Sequence, residues 1–160
     1  MAVLKIRTNP DPALRKKARK ITSIDDSVHR LIDNMIETLE ESAGVGLAAN
    51  QVGVPLRVVV IQIPGEDVLV LINPEVVETQ GERTVIEGCL SIPGYQAEIS
   101  RAEIVKVRAK GRHGRVIRRK ATDLLAQAIQ HEVDHLNGVL YIDYLNDISQ
   151  LEKASSGPIE

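Results

Sequence analysis

The chain has 160 residues, 43% of them hydrophobic, which fits one ordinary domain with a closed core, so we expect a single domain over residues 1–160. The formal net charge of −2 and the presence of only three aromatic residues argue against nucleic acid as a partner, because its recognition uses positive charge and base stacking. The apolar runs are no longer than strands, which argues against a membrane as a partner, and a single cysteine excludes an internal disulfide.

The first predicted element is an amphipathic helix. Apolar residues recur at helical spacing from Val28 to Leu39, and Gly44 is placed to end the helix. The segment that follows, Gly44–Gly53, is rich in glycine and small residues. It fits an ordinary helix-to-strand turn. It equally fits a backbone laid against a substrate, with Gln51 offering an amide N–H to a carbonyl oxygen that gains negative charge.

Strands dominate the middle of the chain. Four are predicted from β-branched content or from alternating apolar and polar residues, and a hairpin turns at Gly111–Gly114. The four predicted strands are Leu56–Ile63, Val68–Ile72, Ile104–Ala109 and Val116–Arg119. The basic residues clustered in Arg108–Lys120 are interpreted as a solvated face. Thr84–Pro93 holds Cys89, whose polar neighbours are unlike those of a cysteine in a hydrophobic strand.

The last predicted helix, Thr122–Asn137, carries a His-Glu-x-x-His pattern formed by His131, Glu132 and His135. Residues four apart share a helix face, so the two imidazoles can bind one metal ion, and Glu132 can act as general base on a water molecule at that ion. This helix is apolar on two sides and should be central and buried, where a bound cation would offset the cost of burying the three polar groups. Cys89 is the candidate for the third ligand of a tetrahedral site that keeps its fourth position open.

Three segments together resemble the signature motifs of the peptide deformylase family, whose members remove the formyl group from newly made bacterial proteins. They are Gly44–Gln51, Glu87–Ser91 and Gln130–Leu136, and each matches in residue type and in order. The similarity extends from about Val3 to Leu145. The resemblance implies an α+β fold in which antiparallel strands pack around a central helix carrying the metal-binding motif. A helix at each end of a strand-rich middle agrees with that fold.

The resemblance also implies a role for seven residues. The implied metal ligands are Cys89, His131 and His135. Glu132 would act as general base and acid, the Gln51 side chain and the Leu90 backbone N–H would donate to the formyl oxygen, and Gly46 would contact the peptide through its backbone. An apolar pocket for the first methionine side chain is expected from Val45, Leu124 and Ala128.

The family's cofactor is one divalent metal ion, usually Fe²⁺, which Zn, Ni or Co can replace. The implied substrates are N-formylmethionyl nascent peptides, from which the enzyme would release formate. We expect a monomer in the cytoplasm, with transient contact to the ribosome. Residues 146–160 are expected to form a short flexible tail, which lacks the basic C-terminal helix that helps some bacterial members dock on the ribosome.

Two other hypotheses are compatible with the motif helix alone. A general metallopeptidase would share only the His-Glu-x-x-His pattern, and cleavage of an unformylated peptide would support it. A binding module with a purely structural metal would need a fourth protein ligand, commonly a further cysteine, and this chain has only Cys89.

Overall fold

The structure is a computed structural model that describes residues 2–154. Over that range it contains two α-helices and eight strands. The helices are α1 (Asp26–Ser42) and α2 (Asp123–Leu136). The strands are β1 (Gly46–Ala48), β2 (Val58–Ile61), β3 (Leu69–Gln80), β4 (Arg83–Cys89), β5 (Ile92–Arg101), β6 (Ile104–Lys110), β7 (Val116–Thr122) and β8 (Glu152–Lys153). Short 3₁₀ helices lie at Pro12–Arg15, Ala49–Val52, Tyr141–Tyr144 and Ile148–Gln150.

The strands form two antiparallel sheets. The larger sheet has the strand order β1-β2-β3-β6-β7, and the smaller one has the order β4-β5-β8. Helix α2 packs against β1, β2, β3, β6 and β7, and eight of its fourteen residues are buried. The prediction of an α+β fold with antiparallel strands around a central motif helix is therefore confirmed. Among residues 2–154, no helix is both long and apolar enough to cross a membrane.

Helix α1 begins and ends with local signals. The Asp25 side chain accepts a hydrogen bond from the Val28 backbone N–H at 3.1 Å, which caps the first turn. The helix ends one residue earlier than Gly44 suggested, because Ala43 itself adopts the left-handed conformation with φ 56°. Its buried side chains pack against β2 and cover the larger sheet on the side away from α2.

The glycine-rich segment is more ordered than a plain turn. Its centre forms β1, which pairs with β2, and the next four residues form a 3₁₀ helix. The Asn50 side chain donates a hydrogen bond to the His135 carbonyl oxygen at 2.7 Å, and Arg57 donates to the Leu136 carbonyl oxygen at 3.2 Å. These bonds satisfy carbonyl groups at the C-terminal end of α2, so Asn50 in this segment and Arg57 beyond it both help to hold the motif helix in position.

The described part of the expected tail carries structure. Residues 148–150 form a 3₁₀ helix, and β8 pairs with β5 through Tyr95 and Gln96. Residues 155–160, the rest of the expected flexible tail, lie outside the described residues.

Candidate metal centre

The structure brings the three predicted metal ligands together. Cys89 ends β4, and His131 and His135 lie one turn apart on α2. The Cys89 Sγ atom lies 3.3 Å from His135 Nε2, and the two histidine Nε2 atoms lie 3.1 Å apart. All three side chains are buried, and their ligand atoms all lie within 4.8 Å of one another.

These three residues fit one tetrahedral metal ion. Typical metal–sulfur and metal–nitrogen bond lengths place neighbouring donor atoms of such a site about 3.3 to 3.6 Å apart. Two of the three donor pairs, Cys89 Sγ–His135 Nε2 at 3.3 Å and His135 Nε2–His131 Nε2 at 3.1 Å, are close to that range, and the third pair, Cys89 with His131, lies within 4.8 Å. The Ser91 backbone N–H donates to Cys89 Sγ at 3.4 Å, which suits a thiolate ligand. A buried thiol and two imidazoles at such short distances are the donor set of a borderline divalent cation, with one position left open.

A buried carboxylate orients one of the histidines. Glu87 Oε2 lies 2.6 Å from His131 Nδ1, and Arg101 binds the same carboxylate through both Nε and Nη2. Burial acts to raise the pKa of Glu87, but the charges and hydrogen bonds of His131 and Arg101 lower it to about 2. An ionised Glu87 accepts the Nδ1–H of His131, so the Nε2 lone pair of that ring faces the ligand cluster.

Hydrogen bonds and charge interactions connect Glu87 to the protein surface. Arg101 is 5% exposed, and its Nη1 donates to Asp134 Oδ2 at 2.7 Å. The same oxygen accepts a hydrogen bond from the Tyr144 hydroxyl group at 2.7 Å, and Arg101 lies over the Tyr144 ring. A continuous set of charge-assisted bonds therefore joins Tyr144 at the surface to His131 at the centre.

Glu132 has a different environment from Glu87. It is fully buried, and neither carboxylate oxygen has a hydrogen-bond partner among the described residues. Burial raises its pKa to about 7. The carboxylate lies against the backbone of Gly46, where an added Cβ atom would be 2.5 Å from Glu132 Oε2. A buried acid without a partner is costly, and this group is therefore available for an interaction that the protein chain itself does not provide.

The predicted oxyanion donors flank the cysteine. Gln51 Oε1 accepts the Ala48 backbone N–H at 2.9 Å, which fixes the direction of the amide. Its Nε2 donates to Ser91 Oγ at 3.0 Å and lies 3.7 Å from Cys89 Sγ, so the N–H end points toward the ligand cluster. Leu90 follows Cys89 directly and is half-buried.

The remaining predicted substrate residues share one apolar cluster. Val45 and Ala128 belong to the core between α2 and the larger sheet, and Leu124 packs against it as a half-buried residue. Gly46, in the adjacent strand β1, is buried beside Glu132. The structure thus places these residues in the core beside α2, and their role in binding a methionine side chain stays a prediction.

Sequence reasoning missed the residues behind His131. Glu87 was part of a recognised motif but received no role, although its position two residues from Cys89 in a strand was a usable signal. Gln127, which donates to Glu87 Oε1 at 3.4 Å, also follows from helical spacing with His131. Arg101 carried no sequence signal, because it reaches the site only through the pairing of β4 with β5.

Comparison with known proteins gives consistent matches over nearly the whole chain. The sequence model of the family described as polypeptide deformylase matches residues 3–151. A peptide deformylase of Dehalococcoides mccartyi (strain CBDB1) is 52% identical over 154 residues, which cover 96% of this chain and 92% of that protein. One of Alkaliphilus metalliredigens is 51% identical and covers 89% of this chain and 97% of that protein.

Solved structures also match over most of the chain. The crystal structure of a peptide deformylase from Legionella pneumophila superposes with a TM-score of 0.90 at 42% identity, covering 93% of this chain and 89% of that one. A peptide deformylase from Synechococcus elongatus, solved in complex with actinonin, gives a TM-score of 0.89 at 42% identity, with 92% of this chain and 81% of that one covered.

Proposed function

This chain belongs to the polypeptide deformylase family, and we propose that Cys89, His131 and His135 hold the metal ion with which it works. It is a hydrolase that removes the N-formyl group from the formylmethionine of newly synthesised polypeptides and releases formate. The observation that carries the residue assignment is the buried Cys-His-His cluster beside a carboxylate, Glu132, that has no partner.

The metal supplies electrophilic chemistry that the side chains cannot supply. A divalent ion held by the three ligands would supply Lewis acidity, which would lower the pKa values of a nearby water molecule and of the Glu132 carboxyl group and would polarise the formyl carbonyl group. We propose Fe²⁺ as the physiological ion, with Zn, Ni or Co as functional substitutes. Support for a single ion comes from the number of ligands, and the mixed sulfur and nitrogen donor set is compatible with each of these metals.

Glu132 moves the proton in this proposal. Its carboxylate accepts a proton from the attacking water, and the oxygen atom of that water adds to the formyl carbon. Glu132 then returns this proton to the amide nitrogen as the C–N bond breaks, so the products are formate and a free α-amino group. Burial alone raises its pKa to about 7, and the lowering by a bound metal ion would keep the carboxylate ionised and able to accept a proton at neutral pH.

Gln51 and Leu90 stabilise the negative charge that develops on the formyl oxygen. The Gln51 amide is held in one orientation by the Ala48 N–H and by Ser91, which keeps its second N–H directed toward the ligand cluster. The Leu90 backbone N–H is the second donor in this proposal. Removal of one such donor typically lowers kcat by 10²–10³.

Specificity follows from the size of the site. The three ligands are buried and their ligand atoms lie within 4.8 Å of one another, and we propose that the space beside them accepts a formyl group and rejects a larger acyl group by shape. We propose that Val45, Leu124 and Ala128 accept the first methionine side chain, and that the Gly46 backbone contacts the peptide. A side chain at position 46 would collide with the Glu132 carboxylate. In this proposal, only glycine at that position lets the substrate backbone approach strand β1 beside Glu132.

The setting of the enzyme follows from its substrate. Newly synthesised polypeptides are made in the cytoplasm, so we propose a cytoplasmic monomer of one domain that contacts the ribosome transiently. The location and the ribosome contact are proposed from the reaction. Sedimentation of the purified protein alone would test the monomer, and sedimentation with ribosomes would test the contact.

The experiment that tests the function measures formate release from formyl-Met-Ala-Ser by anaerobically prepared protein. Acetyl-Met-Ala-Ser and unformylated Met-Ala-Ser serve as control substrates, and a chelator-treated sample serves as the metal control. We expect formate release that the chelator abolishes, with no acetate and no peptide-bond cleavage. Peptide-bond cleavage would instead support a general metallopeptidase, and absence of formate from protein carrying one metal per chain would contradict the proposal.

A further inference from the structure

One tyrosine lies at the outer end of the bonds that support His131. Tyr144, the last residue of the 3₁₀ helix Tyr141–Tyr144, is 48% exposed, yet its hydroxyl group donates to Asp134 Oδ2 at 2.7 Å. The guanidinium carbon of Arg101 lies 5.1 Å from the centre of the tyrosine ring, within the range of a cation–π contact. Tyr144 therefore contacts both charged groups at this end of the network.

The Tyr144 hydroxyl group is a lasting hydrogen-bond donor. Burial and the hydrogen bond to Asp134 raise its pKa to about 12, so the oxygen keeps its proton at neutral pH. A hydrogen bond to a carboxylate is shorter and stronger than one between two neutral groups. The same Asp134 oxygen accepts a hydrogen bond from Arg101 Nη1 at 2.7 Å, so a single atom fixes the tyrosine and the arginine relative to each other.

Arg101 connects this contact to the metal site. Its Nη1 atom binds Asp134, whereas its Nε and Nη2 atoms bind the Glu87 carboxylate. The guanidinium group is planar and rigid, so holding its outer edge also fixes the direction of its inner edge. The Glu87 oxygen that Nη2 binds is the same one that lies 2.6 Å from His131 Nδ1. A rotation of the arginine would therefore change the hydrogen bond that orients the histidine.

Attachment of the 3₁₀ helix does not explain the Tyr144 hydroxyl group. The Arg15 guanidinium group holds the same helix through two hydrogen bonds to the Asp143 carboxylate, at 2.6 and 3.0 Å. Asp143 also accepts the Leu140 backbone N–H at 3.0 Å, and the Tyr141 side chain is fully buried in the core. The helix is therefore held in place independently of that hydroxyl group.

We propose that Tyr144 is a positioning residue of the metal centre. Its hydroxyl group and ring hold the Arg101 guanidinium group, which holds the Glu87 carboxylate. That carboxylate in turn holds the His131 ring with Nε2 toward the ligand cluster. The proposal rests on the proposed function, because it concerns how firmly the protein retains the metal ion on which that function depends.

The test measures the rate at which zinc-loaded, full-length protein loses its metal to an excess of a chromogenic chelator. Tyr144→Phe removes the hydroxyl group and keeps the ring, and Tyr144→Leu removes both. Tyr95→Phe is the matched control, because it removes a hydroxyl group from another exposed tyrosine, on β5. Loss of a direct partner of a metal-binding histidine weakens metal binding about 10–100-fold, and Tyr144 acts from further out. We therefore expect zinc release to be about 3–10-fold faster in Tyr144→Phe, faster still in Tyr144→Leu and unchanged in Tyr95→Phe.

Two further measurements separate positioning from a general structural role. In Glu87→Gln, the charged link between Arg101 and His131 is absent, so adding Tyr144→Phe to this variant should change zinc release by less than about twofold. In zinc-loaded Tyr144→Phe, the NMR signal of the His131 Nδ1 proton should shift relative to wild type, because the hydrogen bond from this proton to Glu87 changes.

Three results would overturn the proposal. They are zinc release from Tyr144→Phe at the same rate as from Tyr95→Phe, an unchanged His131 signal, and an effect of Tyr144→Phe that is equally large with and without Glu87→Gln. If Tyr144→Leu does not fold, Tyr144→Phe carries the test, because it removes only one oxygen atom. Zinc release and the NMR signal are measured without substrate, so they stay informative if metal-loaded wild type releases no formate and the proposed function fails.

Discussion

Replacing Glu132 with glutamine should stabilise the metal-free protein, and more so as the pH rises. Burial raises the pKa of this carboxyl group to about 7 in the folded protein, against an ordinary value of 4.5. The folded state therefore holds this proton more tightly than the unfolded state does. Ionisation of Glu132 does not destabilise the fold at a pH below its unfolded-state pKa, and it does so fully at a pH above its folded-state pKa. The stability of the wild type therefore decreases as the pH rises from the first value to the second. A difference of about 2.5 pKa units corresponds to about 3 kcal/mol.

The assay is urea unfolding of chelator-treated wild type and Glu132→Gln at pH 5 and pH 8. Linkage places roughly 2 to 3 kcal/mol of the effect between these two pH values. Glutamine leaves an amide in the same unsatisfied position at both pH values, so the change with pH isolates the carboxyl group. The exposed Glu98 supplies a matched control, because Glu98→Gln should change stability by less than about 0.5 kcal/mol at either pH.

The same variant should lose activity while keeping its metal. We expect kcat for formate release to fall by roughly 10²–10⁴, with one metal ion per chain retained. A stability difference between wild type and Glu132→Gln that is the same at pH 5 and pH 8 would refute the electrostatic account of this site. Full activity in the variant would refute its role as general base.

Three further changes test the surrounding residues. Glu87→Gln should weaken metal binding by about 10–100-fold in a chelator competition assay, because His131 loses a charged partner that fixes its ring, whereas Glu98→Gln should leave it unchanged. Gly46→Ala should lower kcat by about 10² at unchanged metal content, since the new Cβ atom would lie 2.5 Å from the Glu132 carboxylate; activity equal to wild type would contradict this contact. Gln51→Leu should lower kcat by about 10²–10³ without changing metal affinity, and a parallel loss of metal would instead indicate a structural role.

The sequence predicted the parts of the site that depend on local geometry. His131, Glu132 and His135 belong to one helix, and their relative positions follow from the helical repeat alone. Cys89 was assigned from ligand chemistry and from motif resemblance, and the structure places its Sγ atom beside His135. The α+β layout followed in the same way from the periodicity of successive segments.

The parts that escaped prediction depend on contacts between distant segments. Arg101 reaches Glu87 across the β4–β5 pair and reaches Asp134 on α2, and no spacing in the sequence identifies one arginine among the chain's 20 basic residues.

The two buried carboxylates of the site have opposite electrostatic settings, and the contrast supports the roles proposed for them. Glu87 lies between His131 and Arg101, so its charge is compensated within the protein and its pKa is lowered to about 2. Glu132 has no such partner, and burial raises its pKa to about 7. A carboxylate that stays ionised throughout the working pH range orients a ligand, whereas one that exchanges a proton near neutral pH can act as base and then as acid. The protein accepts about 3 kcal/mol of destabilisation at Glu132 in its metal-free form because compensating that charge internally would remove the group that moves the proton.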